Sequence, residues 1–290
     1  VKPSAFEYET PERTDEALEL LARDPEETKV LAGGQSLVPL LNFRLARPDR
    51  LVDLNGVGEL AYLRRDDGAL RIGAMTRQAT LERSSIVEER WPLLKQAIRL
   101  VAHPQIRNRG TVGGSAAHAD PAAELPVALT ALDATFHIRS ARGSRAVPAR
   151  DFFLQPLMSA IEPGELLVEI ETPPMAANSG TAFVEYARRH GDFALGGAAV
   201  VLDHEDDGSI GRAAIALLGA GPTPLRASAA EAALVGATVD EASAAEVAAL
   251  AVEDVRPTGD IHGSAEYRQG LLRSLVRQAL LQAAQVPRAA

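Results

Sequence analysis

The chain contains no cysteine. That excludes a disulfide framework, thiolate-ligated zinc, a cysteine nucleophile and a cysteine-held iron–sulfur cluster. Aromatic residues make up only 4% of the 290 positions, so the core must be built from Ala, Val, Leu and Ile. Lysine occurs only at Lys2, Lys29 and Lys95; the other cations are all arginine. Acids outnumber them, the net charge is -9, and no basic face of the kind that binds nucleic acid is expected. No apolar run reaches the roughly 20 residues of a transmembrane helix. The first eight residues, Val1 to Tyr8, carry an acid, Glu7, and no apolar h-region, so they do not read as a signal peptide. A soluble cytoplasmic protein is the expectation. The familiar nucleotide and hydrolase signatures, G-x-G-x-x-G, G-x-x-x-x-G-K-[ST] and G-x-S-x-G, are absent too.

What is present is an alternation of helical and extended patterns. The length suggests two domains. Thr14 to Ala22 has early acids and helical apolar spacing, and Lys29–Ala32 and Leu51–Leu54 read as strands flanking a helix that carries Leu37, Leu40, Leu41 and Leu45. This is a small βαβ unit. Asp66-Asp67-Gly68 marks a hairpin between Ala61–Leu63 and Leu70–Gly73. Trp91 to Ala102 reads as a helix, and Pro121 opens another through Leu125. Thr135–Ile138 and Glu165–Ile170 read as strands. Residues 173–180, Pro-Pro-Met-Ala-Ala-Asn-Ser-Gly, form the best linker. Beyond it, a hairpin (198–202 with 213–218) is followed by Ala-rich helices near 226–234, 243–252 and 265–284, which predicts a helical bundle on a three-stranded sheet.

Two double-glycine segments carry the clearest chemistry. Ala32-Gly33-Gly34-Gln35-Ser36 follows a strand, and Gly110-Thr111-Val112-Gly113-Gly114-Ser115 precedes a helix-like run. Without a Cβ the backbone can turn sharply and present converging N–H groups, and a following helix adds partial positive charge. That suits a pyrophosphate, with Ser36, Thr111 and Ser115 as hydroxyl donors; it also suits a plain tight turn. Arg107 and Arg109 can neutralise a phosphate or tie down the loop. His118 fits a ligand contact or a local structural role. Arg188-Arg189-His190 reads as a solvated face, or as a contact for a partner or a phosphate. The six histidines show no metal-ligand spacing.

The segments Ala32 to Leu37, Gln105 to Ser115 and Ala119 to Pro126, as they stand here, resemble the FAD-binding medium subunit of the molybdenum hydroxylases, the family of carbon monoxide dehydrogenase and xanthine dehydrogenase flavoproteins. The resemblance runs through the whole chain. It includes Phe6-Glu7-Tyr8, Ile72 to Thr76, Pro163 to Leu167, Arg188 to Ala194 and Gly219 to Pro224. It implies an α+β chain with a vanillyl-alcohol-oxidase-like FAD fold. The FAD-binding domain would span 1–175, in subdomains of about 1–57 and 58–175. A C-terminal domain of antiparallel sheet and three-helix bundle would span 176–290. It implies that Ala32, Gly33, Gly34, Gln35, Ser36, Thr111, Gly113, Gly114 and Ser115 hold the FAD pyrophosphate, with His118, Asp120 and Glu124 close by. Leu166 or Leu167 would lie near the flavin ring, and Phe193 would cover one of its faces. The family often has Asn where Ser115 stands, Asp where Glu124 stands and, in some members, His where Gln35 stands. No covalent flavin anchor is visible, so FAD is expected to be non-covalent.

The resemblance further implies no catalytic side chain and no metal site on this chain. Molybdopterin would sit on a large partner subunit and two [2Fe-2S] clusters on a small one, in a dimer of heterotrimers. Electrons would pass from those clusters through FAD to a terminal acceptor. The competing reading is a self-contained FAD-dependent oxidase or reductase of the same superfamily.

Overall fold

The structure, a computed structural model, describes residues 2–285; Val1 and the last five residues of the expected C-terminal domain lie outside it. The chain opens with β1 (Glu7–Glu9), α1 (Thr14–Arg23), β2 (Thr28–Leu31), α2 (Leu37–Asn42) and β3 (Arg50–Asp53). The three strands form a parallel sheet in the order β1-β3-β2; parallel neighbours require crossovers, and the two helices supply them. α1 begins with Asp15 and Glu16, favourably placed against the helix dipole, and buries Ala17, Leu18, Leu20 and Leu21. Those side chains meet Val52, Leu54 and Leu60 in a small core of their own.

Next comes the hairpin of β4 (Leu63–Asp66) and β5 (Ala69–Gly73). Its central residues Asp67 and Gly68 both have positive φ, 48° and 84°, as a type I′ turn requires. A helical run follows: α3 (Gln78–Arg83), α4 (Ser85–Arg90), α5 (Pro92–Leu100), α6 (Pro104–Arg109), α7 (Val112–His118) and α8 (Glu124–Ala131). The chain then forms β6 (Thr135–Ser140), β7 (Gly143–Pro148), α9 (Ala149–Phe152), the short hairpin β8 (Phe153–Gln155) and β9 (Met158–Ser159), and β10 (Glu165–Thr172). β10 inserts beside β5, giving an antiparallel sheet ordered β4-β5-β10-β6-β7. Its buried face holds Leu70, Ile72, Phe136, Ile138 and Ile170, packed under α5, α7 and α8. Phe136 and Phe152 stack with centroids 3.8 Å apart, which concentrates the few aromatics at one place.

The last part comprises β11 (Ser179–Tyr186), β12 (Gly196–His204), β13 (Ile210–Leu218), β14 (Leu225–Arg226), α10 (Ser228–Leu234), α11 (Glu241–Ala251) and α12 (Ala265–Ala283). The antiparallel sheet has four strands, not three. The added β14 pairs only Arg226 and Leu225 with Ala216 and Leu217, too short a run to stand out from the helix that follows. Both faces of this sheet are covered. Ala198, Val200 and Leu202 lie under Leu234, Val247, Leu272 and Val276 of the three helices. Ala199, Val201, Ala214 and Ala216 face the other way and join the core of α5 and α8. A strand buried on two faces loses its polar alternation, which explains the unbroken apolar run Ala198–Leu202. α8 is therefore enclosed between two sheets, and all eight of its residues are buried. The junction is pinned by Trp91, whose indole N–H donates to Pro173 O at 2.9 Å, and by Arg226, which reaches Thr130 O at 3.1 Å and Asp133 at 2.6 Å.

Candidate functional site

The first glycine segment leaves β2 at Leu31 and turns into α2. Gly34 has φ +72°, and a Cβ there would meet Val38 and Leu31 at 3.1 and 3.2 Å. Gly33 is constrained from outside: a Cβ would lie 2.5 Å from Arg109 O and 2.7 Å from Gly110 Cα. The backbone of this segment thus rests directly on the junction between α6 and α7. Gln35 turns back to donate to Gly33 O at 2.8 Å, and Val38 N–H closes on Gly34 O at 3.0 Å. Among the described residues, the N–H groups of Gly33, Gly34, Gln35 and Ser36 donate to no protein acceptor. Backbone donors are seldom left unpaired; four in succession in a glycine-rich bend form a concave donor surface suited to an anion.

The second segment behaves differently from the loop expected of it. Thr111 is the N-cap of α7, and its Oγ1 accepts from Gly114 N at 3.0 Å. Val112 N donates to Thr76 O and Gly113 N to Ala74 O, each at 2.9 Å, and Ser115 N donates to Thr111 O at 3.1 Å. These glycines sit inside the first helical turn, and their amides are already committed to protein acceptors. Their role is close approach. A Cβ on Gly113 would lie 2.6 Å from Ala74 O, and one on Gly114 would lie 2.6 Å from Thr111 Oγ1 and 3.4 Å from Ala32 Cβ. The two segments are in contact through Ala32, Gly33, Arg109, Gly110 and Gly114.

The remaining predicted residues are spread along and beyond α7. His118 is its last residue. Ala119 adopts φ 51°, and Asp120 then accepts from Ala122 N at 2.8 Å, so this acid organises the turn into α8. The helix expected to open at Pro121 starts three residues later, at Glu124, because the Asp120 turn occupies Pro121 to Ala123. Leu166 and Leu167 are both 4% exposed and point to opposite sides of β10: Leu166 into the core under α1, Leu167 into the core under α7 and α8. Phe193 is 74% exposed on the connection between β11 and β12, a loop whose Gly191 packs against the His103 ring.

Charge is arranged to suit the open amides. Arg107, 6% exposed, grips Glu82 with two bonds of 2.8 and 3.0 Å and also donates to Val101 O at 2.9 Å. Of the two roles open to it, the structure assigns it the tying-down of the loop. Arg109 and Arg77 have no carboxylate partner within ion-pair distance among the described residues. Burial and the neighbouring Arg109 charge draw the Arg77 pKa down from its usual value. At the start of α8, burial pushes the Glu124 carboxyl up to about 7, with the nearby Asp120 adding to the rise. Glu185 on β11 is pushed up to about 8, first by burial and then by the Glu124 charge; its Oε2 is enclosed without a hydrogen-bond partner. Sequence reasoning missed Arg77, which belongs to no spacing motif and is brought to the contact of the two segments by the fold, and the buried acid Glu185, which lies near Glu124.

His137, Glu169 and Glu171 also converge, with one ligand atom from each within 4.8 Å of the others. The Arg71 guanidinium occupies that space, 2.7 Å from Glu169 and 3.1 Å from Glu171, and Tyr62 donates to Glu169 at 2.5 Å. This group is a satisfied ion-pair network on the sheet.

A glycine-built amide cradle beside two arginines that, among the described residues, have no carboxylate partner is suited to a phosphate group. Residues 4–175 match the family described as the FAD binding domain in molybdopterin dehydrogenase, and residues 181–283 match the CO dehydrogenase flavoprotein C-terminal domain. The chain belongs to the FAD-binding medium-subunit family of the molybdenum hydroxylases, and is a flavoprotein oxidoreductase subunit. It is 46% identical over 283 residues to the 6-hydroxypseudooxynicotine dehydrogenase complex subunit alpha of Paenarthrobacter nicotinovorans, covering 98% of this chain and 96% of the relative. To the carbon monoxide dehydrogenase medium chain of Hydrogenophaga pseudoflava it is 37% identical over 278 residues, covering 96% of each. Its fold superposes on a chain of quinoline 2-oxidoreductase from Pseudomonas putida 86 with a TM-score of 0.94 at 41% identity, covering 98% and 99% of the two chains. The first two relatives are named as a complex subunit and a medium chain. Among the described residues no helix is long and apolar enough to cross a membrane.

Proposed function

We propose that this chain holds FAD non-covalently at the contact between its two glycine segments and relays electrons within a molybdenum hydroxylase. The observation that carries this is the run of acceptor-free amides from Gly33 to Ser36, seated on the Arg109–Gly110 junction. In this reading Ala32 to Ser36 receive the pyrophosphate, and the Ser36, Thr111 and Ser115 hydroxyls and the Arg109 charge lie beside it. Gly113 and Gly114 keep the approach open. His118, Asp120 and Glu124 line the path beyond α7, and Leu166 or Leu167 and Phe193 border the flavin ring. FAD, when bound, supplies the redox chemistry; this chain's own residues bind it, orient it and exclude water.

The finer architecture belongs to the same proposal. It comprises a vanillyl-alcohol-oxidase-like FAD-binding domain over 1–175 in two subdomains and a C-terminal domain over 176–290. The presence of a parallel sheet, a five-stranded antiparallel sheet and a helix-covered four-stranded sheet supports it. Partners would be a large molybdopterin subunit and a small [2Fe-2S] subunit, assembled as a dimer of heterotrimers in the cytoplasm. The absence of cysteine from this chain requires cysteine-held clusters to come from another one. The test is purification of the full chain alone and with neighbouring gene products. Visible flavin absorbance, release of FAD on denaturation and electron transfer only in the presence of the partners are expected. A colourless chain that takes up no FAD, or substrate turnover by this chain without partners, would overturn the reading.

A further inference from the structure

The two glycine segments come from opposite sides of the site, one after β2 and the other between α6 and α7. Their contact is narrow, and two side chains in series span it. Arg77, in the connection from β5 to α3, donates one arm to Arg109 O and the other to Asn55 Oδ1, the latter at 2.6 Å. Asn55 in turn donates from Nδ2 to Ala32 O at 3.0 Å. The two carbonyls at the ends of this chain of bonds, Ala32 and Arg109, immediately precede Gly33 and Gly110, whose backbones touch. Asn55 is itself fixed: its N–H donates to Asp53 Oδ1 at 2.9 Å, and Tyr8 holds the other oxygen of Asp53. Next to Arg77 the backbone is zipped to the second segment, with Gln78 N donating to Gly110 O and Val112 N to Thr76 O, each at 2.9 Å.

We propose that Arg77 is a positioning residue for the dinucleotide cradle, a strut that works through Asn55 and the Arg109 carbonyl to hold the Gly33–Ser36 amides at a fixed distance from the second segment. The proposal rests on the FAD reading for its ligand, but the strut itself is a property of the chain. Two features of the geometry favour Arg over any other residue. A planar guanidinium carries its donors on separate nitrogens in a rigid fork, whereas an ammonium carries all three on one nitrogen. No carboxylate competes for it among the described residues, so both arms stay on the backbone-linked acceptors while the charge remains available to an anion next to Arg109.

The test uses the full-length chain, freed of flavin, as wild type and as Arg77→Ala, Arg77→Lys, Asn55→Ala and the double variant Asn55→Ala/Arg77→Ala. Two readouts are taken: FAD affinity by fluorescence titration, and hydrogen exchange of the amides that donate to loop carbonyls, Val38 to Gly34 O, Leu40 to Ser36 O and Gln78 to Gly110 O. The expected result is a loss of FAD affinity of about tenfold to a hundredfold in Arg77→Ala. Arg77→Lys should be equally impaired, the double variant no worse than Arg77→Ala, and all three loop amides should exchange faster. Recovery of wild-type affinity by Arg77→Lys would overturn the strut in favour of simple charge, and additive losses in the double variant would overturn the shared path. Unchanged exchange would overturn the coupling itself. If wild type binds no FAD, the FAD reading fails while the exchange data still decide the strut. If Arg77→Ala does not fold, Asn55→Ala cuts the same path at an exposed position and carries the comparison.

Discussion

Replacing Glu124 with Gln should make the flavin-free chain more stable at alkaline pH and leave it almost unchanged at acid pH. Glu124 is 8% exposed at the start of α8, and burial holds its carboxyl at about 7 against an ordinary value of 4.5. As pH rises above 4.5 the unfolded chain sheds this proton while the folded chain keeps it. The unfolded state therefore gains relative stability until the folded carboxyl also ionises. The stabilising contribution of the protonated form is complete below 4.5 and is lost as pH climbs through about 7. At about 1.4 kcal/mol per tenfold change in proton activity, that interval amounts to about 3 kcal/mol, most of it between pH 5 and pH 8. A neutral amide has nothing to ionise. Glu124→Gln also removes the charge that helps hold Glu185 up, which widens the difference. Thermal unfolding of both proteins across this range checks the argument. At roughly 2–4 °C per kcal/mol for chains of comparable size, the gap in Tm should open by about 5 °C or more from pH 5 to pH 8. Parallel curves would show that Glu124 is not a desolvated acid.

The other predictions address single contacts. Gly33→Val should abolish FAD uptake, because its Cβ would enter the space held by Arg109 O and Gly110 Cα; flavin content per chain measures this, and full occupancy would refute the packing of the two segments. Arg107→Ala removes the partner of Glu82 and of the Val101 carbonyl, and should destabilise the chain by about 1–3 kcal/mol, read by denaturant midpoints with Arg107→Lys recovering only part. Phe193→Ala should leave stability within about 0.5 kcal/mol, since the ring is 74% exposed. A shifted visible spectrum of bound flavin would place Phe193 at the ring, and an unchanged spectrum would remove it from the site.

The parts of the fold legible in the sequence are those where one element's own residues decide the outcome. The acid-led start and apolar spacing of α1 announce a helix, and Asp67-Gly68 announces its turn because few other residues accept two successive positive φ values. The apolar run Ala198–Leu202 reads as a strand because it is buried on both faces. What escaped notice depends on partners distant in the chain. β14 is two residues paired to β13. Its Arg226 anchors Asp133 from 93 positions away. The second glycine segment has a loop's composition, yet Thr111 caps it and Thr76 and Ala74 accept its amides, so a tertiary contact turns it into helix.

The site divides along the same line. Glycines are visible because they are needed where backbone meets backbone, and both segments meet that description: Gly33 against Arg109 and Gly110, Gly113 against Ala74. The sequence alone does not say which of them is free to bind. That follows from hydrogen-bond accounting, which among the described residues leaves the Gly33–Ser36 amides without acceptors and commits those of Val112–Ser115. The same accounting separates the arginines. Arg107 and Arg109 stand two apart in one motif. One is spent on Glu82, and the other has no carboxylate partner among the described residues. Arg77, outside any motif, bonds to the second segment directly and to the first through Asn55. A motif therefore marks where backbones must approach closely, and the three-dimensional pairing of donors and acceptors determines which groups remain to hold a ligand.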